Sequence, residues 1–364
     1  MNVIRNARFI NWNLKMAKVF KTFVIWRLFL FVPVFLAGYF IIFRTGYLSI
    51  NPWANFDGVH YLSIAANGYV NQAVFFPLYP LLIKIFSFRN QMFLSGFLIS
   101  NISFFVSLYF FYKLLRLDYK EKTSWDVLVI LLLFPTALFF GAVYSESLFF
   151  LLLILSLYFA RRGMWFWASV AGMLLSATRL IGIFILPALI YEQYVQKKKF
   201  NLWLLITPIC LFAYSLFNFK KWGDWFYFIN AHSELGNGRV TNGIVLFPQT
   251  VYRYFKIFLS LPVSQYEWWI AALELTSFIG VSLLLYFAWK KKVRTSYLIF
   301  SILAFLLPVS SGTFSGLPRY IIVLFPIFIA LSFLGERVKK IWLFISGILL
   351  FILTMFFVRG YFVA

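Results

Sequence analysis

The sequence predicts an all-α protein that crosses a membrane about eleven times. Three observations predict it. Hydrophobic residues make up 63% of the chain and charged residues only 12%, where soluble domains average roughly 45–50% and about 25%. Apolar runs recur near the roughly 17–25 residues that a spanning helix needs. Between them Lys and Arg gather in short clusters, and these fall almost entirely on one side once the spans are numbered.

The expected spans are 22–43, 91–115, 125–140, 146–160, 164–178, 181–196, 202–219, 268–289, 295–309, 318–334 and 340–358. Segment 1–21 is basic, with Arg5, Arg8, Lys15, Lys18 and Lys21. The apolar stretch from Thr22 is longer than the roughly 7–15 residues of a signal-peptide core, so it reads as an uncleaved first helix entered from the cytoplasm. The turns on that side then hold Lys113, Arg116, Lys120 and Lys122; Arg161 and Arg162; Lys197 to Lys199; Lys290 to Lys292 with Arg294; and Arg337, Lys339 and Lys340. Lys220 and Lys221 are the exception. This alternation supports one transmembrane domain, 22–358, with a tail 359–364 and two large loops, 44–90 and 220–267, on the non-cytoplasmic face. The same one-sidedness explains the net charge of +22 without nucleic acid. Cys210, alone in an apolar run, has no intrachain disulfide partner and reads as a small core residue.

The stretch from Asn51 to Pro80 differs from its surroundings. It holds Asp57 with His60, Tyr61 and Tyr69 nearby, among Asn, Gly and Pro residues suited to a folded loop. An Asp-Gly before the helix-like run Val59 to Ala66 serves equally as a turn or a cap. Asp57 is nonetheless nearly alone as a carboxylate on an aromatic face, the setting of a functional acid or base. His60 suits a phosphate oxygen or a substrate hydroxyl, with anchoring at the membrane interface as its bland alternative, shared by Tyr61. Arg179 interrupts an apolar region, which costs at least ~2.5–3.5 kcal/mol on insertion scales and calls for a partner or water; an anion is the favoured partner. Arg319 follows a proline at a helix start, where cation and free N–H groups meet a phosphate. Glu146 caps the helix it begins or pairs with one of these arginines. The same face carries Asp224, Glu234 and both histidines of the chain, His60 and His232. Glu274, inside a span, reads as structural. No cluster has zinc spacing; a divalent ion at Asp57 has weak support, and the chemistry requires no cofactor or metal.

The runs FDGVHYLSIAANGY (56–69) and FFPLYPLLIKIF (75–86), then FPTALFFGAVYSESLFFLLLILSLYFARRGMW (134–165) with SATRLIGIFILPALIYE (176–192), then GLPRYIIVLFPIFIAL (316–331), lie in one order along the chain. Together they resemble the GPI mannosyltransferase 2 (PIG-V-like) family of integral-membrane glycosyltransferases. The resemblance implies a GT-C-like fold, with an acidic residue of the first non-cytoplasmic loop as catalytic base, which maps onto Asp57. It also implies a polyprenyl-phosphate sugar as donor, mannose in eukaryotic members. His60 stands where many relatives carry an aromatic residue, and the chain is shorter than eukaryotic members, which argues against a GPI acceptor. The length and the family's spread point to a prokaryotic plasma membrane. The expected reaction moves a sugar to a glycan or glycolipid acceptor, with Asp57 catalytic and His60, Tyr61, Tyr69, Glu146, Arg179, His232 and Arg319 binding substrate. A lipid-linked sugar flippase would place functional polar groups on both faces. A membrane acyltransferase would want a histidine base.

Overall fold

The computed structural model describes residues 2–44, 51–196, 201–233, 238–241 and 243–364; Lys197 to Lys199 and Glu234 lie outside them. Every expected span contains helix, though 125–140 breaks after Leu132 and resumes as a 3-10 turn, and 318–334 is split into short helical pieces; no strand forms among the described residues. Helix α1, Asn2–Phe40, carries the basic segment and the first span as one continuous helix. The first loop is structured, with a 3-10 turn Pro52–Ala54, α2 Asp57–Asn67 and α3 Leu78–Phe86. Then follow α4 Met92–Leu115, α5 Glu121–Leu132, α6 Glu146–Arg161, α7 Trp165–Ser176, α8 Ile185–Val195 and α9 Ile209–Trp222. The second large loop holds α10, Tyr227–Asn230, and α11, Phe247–Ser260, close to the surface helices expected near 224–233 and 248–261. The chain ends with α12 Tyr266–Lys290, α13 Thr295–Val309, α14 Leu317–Tyr320, α15 Pro326–Ser332 and α16 Glu336–Val358.

Five helical segments are long and apolar enough to cross a bilayer: Leu14–Phe40, Met92–Leu115, Leu202–Trp222, Tyr266–Lys290 and Glu336–Val358. They expose large apolar side chains such as Phe35, Phe212, Leu283 and Phe344, as lipid-facing helices do. The chain is an integral membrane protein. The remaining spans are short. With 12 residues each, α5 and α7 reach about 18 Å against a hydrocarbon core of about 30 Å. Pro135 follows α5 and cannot continue it. At the end of α7 the Ser176 and Thr178 hydroxyls turn back to the carbonyls of Met173 and Leu175. Gly182 then packs so closely that a β-carbon there would lie 2.4 Å from the Leu175 oxygen.

Each end of this short-helix bundle carries a polar cluster. Near the basic turns Arg161 bonds Asp118 at 2.6 Å, and Glu192 takes Arg294 at 2.6 Å and Ser296 at 2.7 Å. At the opposite end Glu146, Asp57, Arg179 and Arg319 meet. Helix α6 begins at Glu146 and ends at Arg161, so the clusters lie about 22 Å apart. Between them Phe104, Phe111, Phe140, Phe149 and Phe150 are fully buried, with Phe104 stacked on Phe140 at 4.3 Å. Cys210 is half-buried on α9 and not a core residue, because that helix turns much of its surface outward.

Candidate active site

Asp57 is the first residue of α2, where a carboxylate is favoured by the helix dipole. The residue before it, Phe56, has φ 55°, a conformation that costs a non-glycine residue about 1–3 kcal/mol and that its surroundings hold in place. The Asn55 amide donates to the Phe357 carbonyl at 2.9 Å, and the Tyr144 hydroxyl donates to the Asn55 carbonyl at 2.9 Å. Val143 N–H donates to Trp53 O at 2.8 Å, and Gly58 leaves only 3.2 Å between a would-be β-carbon and the Val143 oxygen. The first loop is thus zipped to the turn before α6, the turn that presents Glu146.

Asp57 and Glu146 are joined through arginine. Arg319 Nη1 donates to Asp57 Oδ2 at 2.6 Å, and its Nε lies 3.4 Å from Glu146 Oε1. Arg179 Nη1 donates to the same Glu146 oxygen at 2.5 Å. Glu146 is 1% exposed; it both begins α6 and pairs with the arginines. A third guanidinium joins them. Arg239, Arg179 and Arg319 stand 5.2, 4.8 and 5.1 Å from the centre of the Tyr320 ring. Arg239 is also held by the Ser315 carbonyl at 2.8 Å. Three cations against two carboxylates leave an electropositive pocket, kept in place by neutral aromatic faces.

The cavity they border has a volume of about 290 Å³. Asp57, Tyr61, His232 and the three arginines line it together with Leu180, Ile181, Ala304 and Leu307. Tyr61 bonds Ser145 at 2.8 Å. Burial and the neighbouring Arg239 push His232 down to about 4, so its imidazole is neutral near pH 7. His232 Nδ1 and Arg239 Nε are buried without a hydrogen-bond partner among the described residues. His60 does not line the cavity; it stacks on Phe75, which does, with centroids 4.9 Å apart. Burial holds its pKa down, against the pull of Asp57. Tyr69 lies outside the cavity too, giving its hydroxyl to the Phe75 carbonyl at 2.7 Å and packing beside Tyr214. No group of three His, Cys, Asp or Glu side chains gathers to hold a metal among the described residues.

Sequence reasoning brought Asp57, Tyr61, Glu146, Arg179, His232 and Arg319 to this place but missed Arg239 and Tyr320. The sequence carried no signal that singled out Arg239, which shares the second loop with Lys220, Lys221, Arg253 and Lys256.

A family model, Mannosyltransferase (PIG-V), matches residues 30–324. The chain belongs to the PIG-V mannosyltransferase family. Membership makes it a membrane glycosyltransferase, and the match takes in Asp57, Glu146, Arg179, Arg239, Arg319 and Tyr320. Comparison with curated proteins and with solved structures found no match.

Proposed function

We propose that the protein transfers mannose from a polyprenyl-phosphate donor to a hydroxyl of a glycan or glycolipid acceptor, with inversion, on the non-cytoplasmic face of the membrane. The observation that carries this is the pairing of Asp57 with Arg319 beside two further guanidiniums in one cavity. Asp57 is the carboxylate lining it among the described residues. Arg319 holds Oδ2, and Oδ1 takes the proton of the acceptor hydroxyl. The acceptor oxygen attacks the anomeric carbon as the bond from that carbon to the phosphate oxygen breaks. The leaving group is a phosphate monoester whose growing charge meets Arg179, Arg239 and Arg319. A phosphate leaves without a second carboxylate acid, unlike the alcohol of glycoside hydrolysis. The apolar side chains in the cavity lining suit the first part of the donor's lipid. At the opposite end of the bundle Asp118 and Glu192 are closed into ion pairs with Arg161 and Arg294, which favours the transferase over a flippase.

The test is transfer of radiolabel from polyprenyl-phosphate mannose to a membrane lipid extract, with wild type and Asp57→Asn side by side. Label should reach a new product with wild type only, while Asp57→Asn stays folded, with a thermal midpoint lowered because Arg319 loses its partner charge. Equal transfer by Asp57→Asn removes Asp57 as the base.

A further inference from the structure

A second cavity, of about 490 Å³, opens near the same end of the bundle and shares no lining residue with the first. Phe56 borders it, while the next residue, Asp57, borders the arginine pocket. The positive φ of Phe56 lets neighbouring side chains enter two different spaces. Its ring meets Phe362 edge-on at 5.6 Å, and Tyr266 holds the Phe362 carbonyl at 2.8 Å. At the rim Arg44 pairs with Glu267 at 3.3 Å, both half-exposed. Glu274 is buried in the wall, held by the Tyr254 hydroxyl.

We infer that this groove binds the sugar end of the acceptor glycolipid, an inference that rests on the transferase reading above. Aromatic faces from Phe56, Tyr266 and Phe362 beside carboxylates and a guanidinium are complementary to a saccharide, which offers C–H faces and a ring of hydroxyls. Placement agrees. In a single displacement the acceptor oxygen approaches the anomeric carbon from the side opposite the leaving phosphate. Arg319 bonds Asp57 directly, and Phe56, the residue before it, borders the groove, so a sugar held there lies next to the base.

Ile270 lines the groove and belongs to no part of the donor site. In a Cys210→Ser background in nanodiscs, Ile270→Cys should react with a maleimide. Octyl α-mannoside, below its micelle concentration, should slow that reaction saturably by about tenfold, the mark of a site occupied some nine-tenths of the time. Polyprenyl phosphate should leave it unchanged. Ile270→Trp should raise the acceptor KM about tenfold with donor KM unchanged. No protection by the mannoside overturns the inference, as does protection by polyprenyl phosphate, which would assign the groove to the donor. An unchanged acceptor KM in a folded Ile270→Trp variant overturns it as well. If wild type transfers no mannose, the transferase reading fails, and the cysteine protection still decides whether the groove takes a sugar.

Discussion

Glu146→Gln isolates the electrostatic core of the site. Its carboxylate is 2% exposed and holds Arg179 at 2.5 Å and Arg319 at 3.4 Å. Glutamine keeps the shape and one acceptor oxygen but removes the charge, leaving two guanidiniums facing each other in a buried space. A unit-charge pair near 4 Å is worth about 4 kcal/mol at an effective dielectric of 20, and breaking a buried pair costs about 3–5 kcal/mol. The variant should therefore lose about 3–5 kcal/mol of stability, read as a lower thermal midpoint in nanodiscs. Polyprenyl phosphate should recover part of the loss, because its phosphate gives the arginines a replacement anion. The ligand-induced rise in midpoint should thus be larger for Glu146→Gln than for wild type. A variant that melts within about 0.5 kcal/mol of wild type, with an equal response to the phosphate, refutes the reasoning and reduces Glu146 to a helix-starting residue.

Arg239→Gln removes one of three cations from the cavity but leaves Arg319 on Asp57; donor KM should rise about tenfold or more with a smaller change in kcat, measured by transfer at saturating acceptor. His232 sets a pH limit. Its pKa is about 4 in the folded protein against about 6.5 unfolded, so the unfolded chain binds the extra proton between these values. Its contribution is complete above about pH 6.5 and is lost as pH falls towards 4, by at most about 3 kcal/mol. Chemical unfolding from pH 7 to pH 4 should show that slope, and His232→Asn should flatten it.

The helices were legible because apolar runs and one-sided cations are local properties, summed over many residues. Where the short helices stop was not, since Gly182 against the Leu175 carbonyl and Glu192 against Arg294 join parts of the chain that only packing brings together. Asp57 stood out as a carboxylate with few others on its face. Glu146 could be read as capping or pairing; it pairs with Arg179 and Arg319, and the start of α6 has no side-chain cap bond. An aromatic residue in a loop carries no directional signal, so Tyr69 looked like a ligand contact and is held by the Phe75 carbonyl, while Tyr320, at the centre of three arginines, did not stand out. Arg239 lies in a segment with no helical period to place it.

The brevity of α5 and α7 bears on the membrane itself. Walls about 12 Å shorter than the hydrocarbon core create hydrophobic mismatch, which a bilayer meets by thinning or by letting lipid headgroups dip beside the protein. For the lipid-phosphate donor proposed above, such a dip would bring the phosphate down to the arginines with no lift into water. In a thicker bilayer the same dip must be deeper, and each added ångström costs a fraction of a kcal/mol. On that reading, the lengths of these two helices would bear on which membranes the enzyme works best in.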